Sequence, residues 1–248
     1  METQQSLIWG KRTVLEFLRK EAPLQRIYVL ADGAGLSKEF FALAKEQAIP
    51  VVRSQRERLD SLTRRANHQG VVASLGERSF ASWQEILEAS AVSPNKMLLL
   101  ALDGVQDPGN FGALLRTAEG AGVQGVVMSA AGSCPLSATV SKTSAGADAY
   151  LKVARADRLE RLLGSLAEEG VQVVATTPDA ENPYWSLDWT RPSVLVLGAE
   201  GDGISEAVLR RCNQRVKLPM LGQIESLNVA ASAAAVLYEA VRQRWGKQ

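Results

Sequence analysis

Histidine occurs once in these 248 residues, as His68, and cysteine twice, as Cys134 and Cys212. A Ser-His-Asp hydrolase would have to use His68, and no GxSxG nucleophile elbow accompanies it. The two cysteines stand far apart and outside any CxxC pair. That argues against a zinc site or disulfide framework and predicts a reducing, cytoplasmic setting. No apolar run approaches the roughly 18 residues of a membrane span, and METQQSLIWGKR lacks the apolar core of a signal peptide. Net charge is only +1, so the chain as a whole is no polyelectrolyte binder. A lone histidine at a strand entrance is expected to be a packing or solvated residue rather than a catalyst.

The charge that is present is unevenly spread. Residues 1–76 hold 12 Lys/Arg against 8 Asp/Glu, while residues 77–248 hold 16 against 19. A basic N-terminal third on a near-neutral body suggests a module facing nucleic acid. In that third KRTVLEFLRK and SKEFFALAKEQ have helical spacing, whereas RIYVLA, IPVVR and GVVASLG read as strands. RSQRERLDSLTRR, residues 53–65, reads as a solvated face, with phosphate contact the alternative. Trp9, Tyr28, Phe40 and Phe41 fall on apolar faces and are expected in the core. ERSFASWQEILEASAVSPNK reads as a connector with a short helix in its middle, which places the linker at residues 77–95.

From residue 96 the pattern changes. MLLLALDGV is the continuous apolar run of a buried parallel strand, and VQGVVMS, VQVVATT, SVLVLGAEG and QRVKLPM follow. DRLERLLGSLAEEG and the closing SLNVAASAAAVLYEAVRQRW are helical. Helices alternating with apolar strands predict an α/β fold with a parallel sheet covered on both faces. Ligands of such sheets bind beyond the carboxyl ends of the strands. Three of those ends are chemically unusual: LDGVQDPGNFGALLRTAEGAG, LVLGAEGDGIS and LPMLGQIESLNVAASAAAVLYEA. In the first, Asn110 and Arg116 either cap and decorate a helix or face a ligand. In the second, Gly198, Gly201 and Gly203 give GxxGxG, the reverse of the dinucleotide fingerprint, which disfavours a nucleotide-cofactor oxidoreductase. In the third, Ser226 is placed to cap the last helix, whose run of small residues allows close backbone approach.

The three stretches in this order resemble the motifs of the SpoU/TrmH family of RNA ribose 2′-O-methyltransferases, within the SPOUT superfamily. The resemblance covers roughly residues 97–245. Residues 1–76, with NHQGVVA at residues 67–73 near their end, are similar to the ribosomal-L30e-like substrate-binding domain fused to many members. It implies a deep trefoil knot in the domain 96–248 and a homodimer formed through that domain. S-adenosylmethionine would be held without metal, at Gly198, Gly201, Leu218 and Leu227, with Thr176 or Thr177 in the knot-forming loop. RNA is the implied partner, a guanosine of 23S rRNA first and tRNA second. A non-catalytic knotted RNA-binding protein is the alternative, against which intact Asn110, Arg116 and Glu200 argue. Where many members read SLNVS this chain reads SLNVA, so Ala230 replaces a hydroxyl.

A ribose 2′-hydroxyl is a poor nucleophile, so transfer to it needs positioning and a route for its proton. By chemistry alone Glu200 is the obvious base. The resemblance points instead to Arg116, although a guanidinium is a hydrogen-bond donor with no acceptor atom and so a poor base. Arg116 is therefore read as orienting the target phosphate and stabilising developing alkoxide, with the proton leaving through it, Glu200 or water. Asn110, Ser226 and Asn228 would fix Arg116, the ribose or the cofactor carboxylate.

Overall fold

The computed structural model describes residues 7–33, 35–75, 80–93, 96–223 and 226–245, in two compact units. The first unit takes the chain to residue 79 together with 136–150. Its sheet has the order β1-β4-β2-β3, from β1 (Leu7–Trp9), β2 (Leu24–Leu30), β3 (Val51–Ser54) and β4 (Val71–Leu75). β4 pairs antiparallel with β1 and β2, and β2 runs parallel to β3. Helices α1 (Lys11–Arg19) and α2 (Lys38–Glu46) bury Val14, Phe17, Leu18, Phe40 and Ala44 in one core with Ile27, Val29 and Val71.

Three features of this unit differ from what the sequence predicts. Phe41 is 38% exposed, because Phe40 takes the buried face of α2 and its neighbour must point away. The stretch 53–65 is not simply a solvated face: α3 (Arg56–Leu62) buries Leu59 beside Tyr28 and Val72. The helix α6 (Ala138–Thr143) and the 3-10 turn Ala147–Ala149, expected with the second domain, belong to this unit. α6 packs on β1, and the hydroxyls of Ser141 and Ser144 donate to buried Asp148 at 2.6 and 2.9 Å. His68 is a packing residue. Gly70 N–H donates to its Nδ1, so Nε2 carries the hydrogen and donates to Asp60 3.1 Å away.

The second unit is an all-parallel six-stranded sheet in the order β10-β8-β9-β5-β6-β7. Its strands are β5 (Leu98–Asp103), β6 (Gly125–Ser129), β7 (Val153–Ala156), β8 (Gln172–Thr176), β9 (Ser193–Gly198) and β10 (Gln214–Val216). Leu99, Ala101, Val194 and Val196 pack on one face with α7 (Leu159–Glu168), α4 (Trp83–Ala91) and the short α8 (Glu206–Leu209). Leu98, Leu100, Leu102, Leu195 and Leu197 are buried on the other. There α9 (Val229–Trp245) packs on β9 and along α5 (Pro108–Gly120). The small side chains of α9 permit that approach, the packing reason for its alanines.

α4 lies inside the expected linker, yet it is part of this core. Ile86 is fully buried, and a Cβ on Gly125 would stand 2.5 Å from its Cγ2. A full capping box, Ser82 with Glu85, starts the helix. Pro94 and Asn95 lie outside the described residues.

Candidate active site

β5 and β9 are central neighbours, and their registered ends bring Asp103 beside Gly198. After β9 the chain folds back at once: Ala199 and Gly203 exchange both backbone hydrogen bonds, at 3.1 and 3.0 Å. Gly198 is required by this turn, since a Cβ there would meet the Gly203 carbonyl carbon at 2.0 Å. Asp103 pins the far side by accepting from Ser205 N–H at 2.8 Å. The turn presents Glu200 at the strand ends.

After β5, Asp107 caps α5 by accepting from Asn110 N–H at 2.7 Å, and Pro108 occupies the first turn. Asn110 is therefore not the cap, and its side chain is available. On the third element, Asn228 and not Ser226 caps α9. Its Oδ1 accepts from Ala230 and Ala231 N–H at 2.9 and 3.4 Å. The same side chain donates through Nδ2 to Asn110 Oδ1 at 2.9 Å and Glu200 Oε1 at 2.8 Å. The three chemically unusual strand ends thus meet in one hydrogen-bonded triad.

The triad stands between cavities. One of about 460 Å³ is lined by Thr176, Gly198, Glu200, Gly201, Leu227 and Asn228, among others, and also touches Ser226. A smaller one of about 140 Å³ continues from it, past Thr176 and Thr177 to Leu218, Met220, Ser226 and Leu227. A third, of about 230 Å³, is bounded by Gln106, Asp107, Asn110, Glu200 and Asp202. Glu200 borders both the first and the third. Thr176 Oγ1 donates to the Val196 carbonyl, whereas Thr177 Oγ1 is buried with no partner among the described residues. Arg116 is exposed further along α5 and lines none of these cavities.

Residues 97–238 match the SpoU rRNA Methylase family, and residues 7–81 match the RNA 2′-O ribose methyltransferase substrate-binding family. The chain belongs to the SpoU rRNA methylase family. It is an RNA methyltransferase of the TrmH/SpoU type. YacO of Bacillus subtilis, assigned to the TrmH tRNA/rRNA methyltransferases, is 33% identical over 245 residues, covering 98% of both chains. A solved RNA 2′-O ribose methyltransferase superposes with TM-score 0.76 at 31% identity, covering 96% of this chain and 88% of its own. An AdoMet-bound rRNA methyltransferase from Sinorhizobium meliloti gives TM-score 0.80 at 25% identity, covering 97% and 88%.

Seen as a SpoU-family site, the arrangement also contains residues that the sequence alone does not single out. Asp103, Gln106, Asp107, Asp202 and Met220 line the cavities or brace their walls. Asp103 had a legible signal, a carboxylate ending an apolar strand. Met220 had none, because its place depends on sharing a cavity with Thr176, Thr177 and Pro178, far away in sequence.

Proposed function

We propose that the chain is an S-adenosylmethionine-dependent RNA 2′-O-ribose methyltransferase, with a guanosine of 23S rRNA as first substrate. The observation that carries this is the Asn110–Asn228–Glu200 triad, set between a partly apolar cavity and a polar one at the strand ends. S-adenosylmethionine would supply a methyl group already activated on a sulfonium. The chain's own residues fit that cofactor. The small cavity offers Leu218, Met220 and Leu227 as apolar walls for an adenine ring, and the orphaned Thr177 hydroxyl as a polar partner. The larger cavity offers Gly198 and Gly201, whose lack of side chains lets a ligand approach the backbone.

The polar cavity would take the target ribose, with Glu200 at its edge as a proton acceptor. Arg116, exposed and without a hydrogen-bond or ion-pair partner among the described residues, is free to meet a phosphate. Trefoil threading is supported by Thr176, Thr177 and Pro178, after β8, lining one cavity with Leu218, Met220, Ser226 and Leu227. A homodimer through this unit is supported by Tyr238 and Trp245, 52% and 76% exposed on α9. Relatives named for both tRNA and rRNA make tRNA the second substrate to test.

Incubation with methyl-labelled S-adenosylmethionine and separate rRNA and tRNA tests the reading. Label is expected in rRNA, on ribose. Transfer to tRNA alone would replace the substrate, and tight NAD binding with no transfer would overturn the reading.

A further inference from the structure

The two ends of a side-chain amide are told apart by their partners, and at Asn228 the partners decide. One end lies 2.9 Å from the backbone nitrogen of Ala230 and 3.4 Å from that of Ala231. Backbone N–H groups only donate, so the end facing them is the oxygen. The nitrogen therefore faces Asn110 and Glu200, at 2.9 and 2.8 Å. It carries two hydrogens, one for each neighbour. Asn110 must turn its oxygen toward Asn228, which leaves its own NH2 without an acceptor among the described residues. Glu200 accepts through Oε1 and keeps Oε2 without a donor among them. Asn110 and Glu200 both line the polar cavity of about 230 Å³.

We propose that Asn228 is a positioning residue that sets hydrogen-bond polarity at the site: Asn110 as donor, Glu200 as acceptor. A single hydroxyl between them then accepts from Asn110 and donates to Glu200, which is what a ribose 2′-hydroxyl can do and a 2′-deoxy position cannot. The order originates in α9. Its first N–H groups, which have no partner within the helix, fix Asn228, and Asn228 fixes residues from two other loops. A methylated product keeps the acceptor but loses the hydrogen, so it leaves Oε2 unpaired and is held less well than substrate. The inference rests on the 2′-hydroxyl reading above.

Asn110→Asp tests the effect. The substituted carboxylate still offers Asn228 an oxygen, so the triad and the helix cap persist, while the free end changes from donor to acceptor and a charge is added beside Glu200. Melting temperature and calorimetric S-adenosylmethionine affinity are expected to stay as in wild type. Single-turnover methylation at saturating RNA is expected to fall about a hundredfold, as for loss of one aligned donor. Asn228→Asp keeps the capping oxygen and removes both donors, and is expected to lose at least as much. Independently of turnover, the Asn228 side-chain amide hydrogens should exchange about tenfold more slowly than those of Asn110. A wild-type rate in Asn110→Asp, or equal exchange at the two side chains, would overturn the proposal. Absence of methylation by the wild-type protein would overturn the functional reading instead.

Discussion

Arg116 and Gly198 make opposite demands on a substitution. Gly198 has the Gly203 backbone where a side chain would be, so Gly198→Ala is expected to cost about 3 kcal/mol in urea unfolding, the upper range for overpacking. Arg116 has no hydrogen-bond or ion-pair partner among the described residues, so Arg116→Ala should leave stability within about 0.5 kcal/mol of wild type. Its single-turnover methylation rate should nevertheless drop roughly a hundredfold if the guanidinium serves the target phosphate. Arg116→Lys should recover little, because a point charge lacks the planar fork. Cys212 offers a pH test. Burial pushes its thiol from an ordinary 9.0 up to about 12. Folding favours the neutral thiol, so its contribution is complete below pH 9 and is lost as pH rises toward 12. Native Cys212 should therefore resist iodoacetamide at about pH 8 while the unfolded chain reacts. At this scale Gly198, Glu200 and Asn228 were legible as unusual residues at strand ends. Which of them touch was not, because Asn110 and Asn228 are 118 positions apart.

Elements with strong periodicity were legible, and those placed by tertiary contacts were not. The apolar runs of β5, β6, β8 and β9 could only be buried strands. β7 was missed because VARA has no such run; it is held at the sheet edge by β6. Ser226 looked like the cap of α9 because Ser is a common cap, but Asn228 took that place and gained two further partners. The other end of α9 is secured by Arg244. Its guanidinium donates to the carbonyls of Trp189, Lys96, Met97 and Arg191, at 2.8, 2.5, 3.0 and 3.0 Å. Burial lowers its pKa from the ordinary arginine value. Arg244→Ala would leave the Trp189 carbonyl without a donor among the described residues, while those of Met97 and Arg191 keep Ser193, and is expected to cost about 2 kcal/mol in urea unfolding, with Arg244→Lys restoring only part.

For the whole molecule, the positive excess of residues 1–76 was legible, but the return of 136–150 to the first unit was not, since nothing in CPLSATVSKTSAGADAY marks a change of unit. Arg56, Arg64 and Arg65 are exposed in that unit and available to phosphates. Arg64→Glu with Arg65→Glu should weaken RNA binding and lower the slope of log affinity against log salt by about one for each phosphate no longer engaged. An unchanged slope would place the RNA elsewhere. The most direct test of the central claim is the chemical position of the transferred methyl group. After reaction with methyl-labelled S-adenosylmethionine, the RNA is hydrolysed in alkali, which cleaves a strand through its free 2′-hydroxyls. Ribose methylation should leave the label in an alkali-resistant dinucleotide, and Arg116→Ala should leave almost none. Label recovered in ordinary mononucleotides, as a methylated base, would contradict the account.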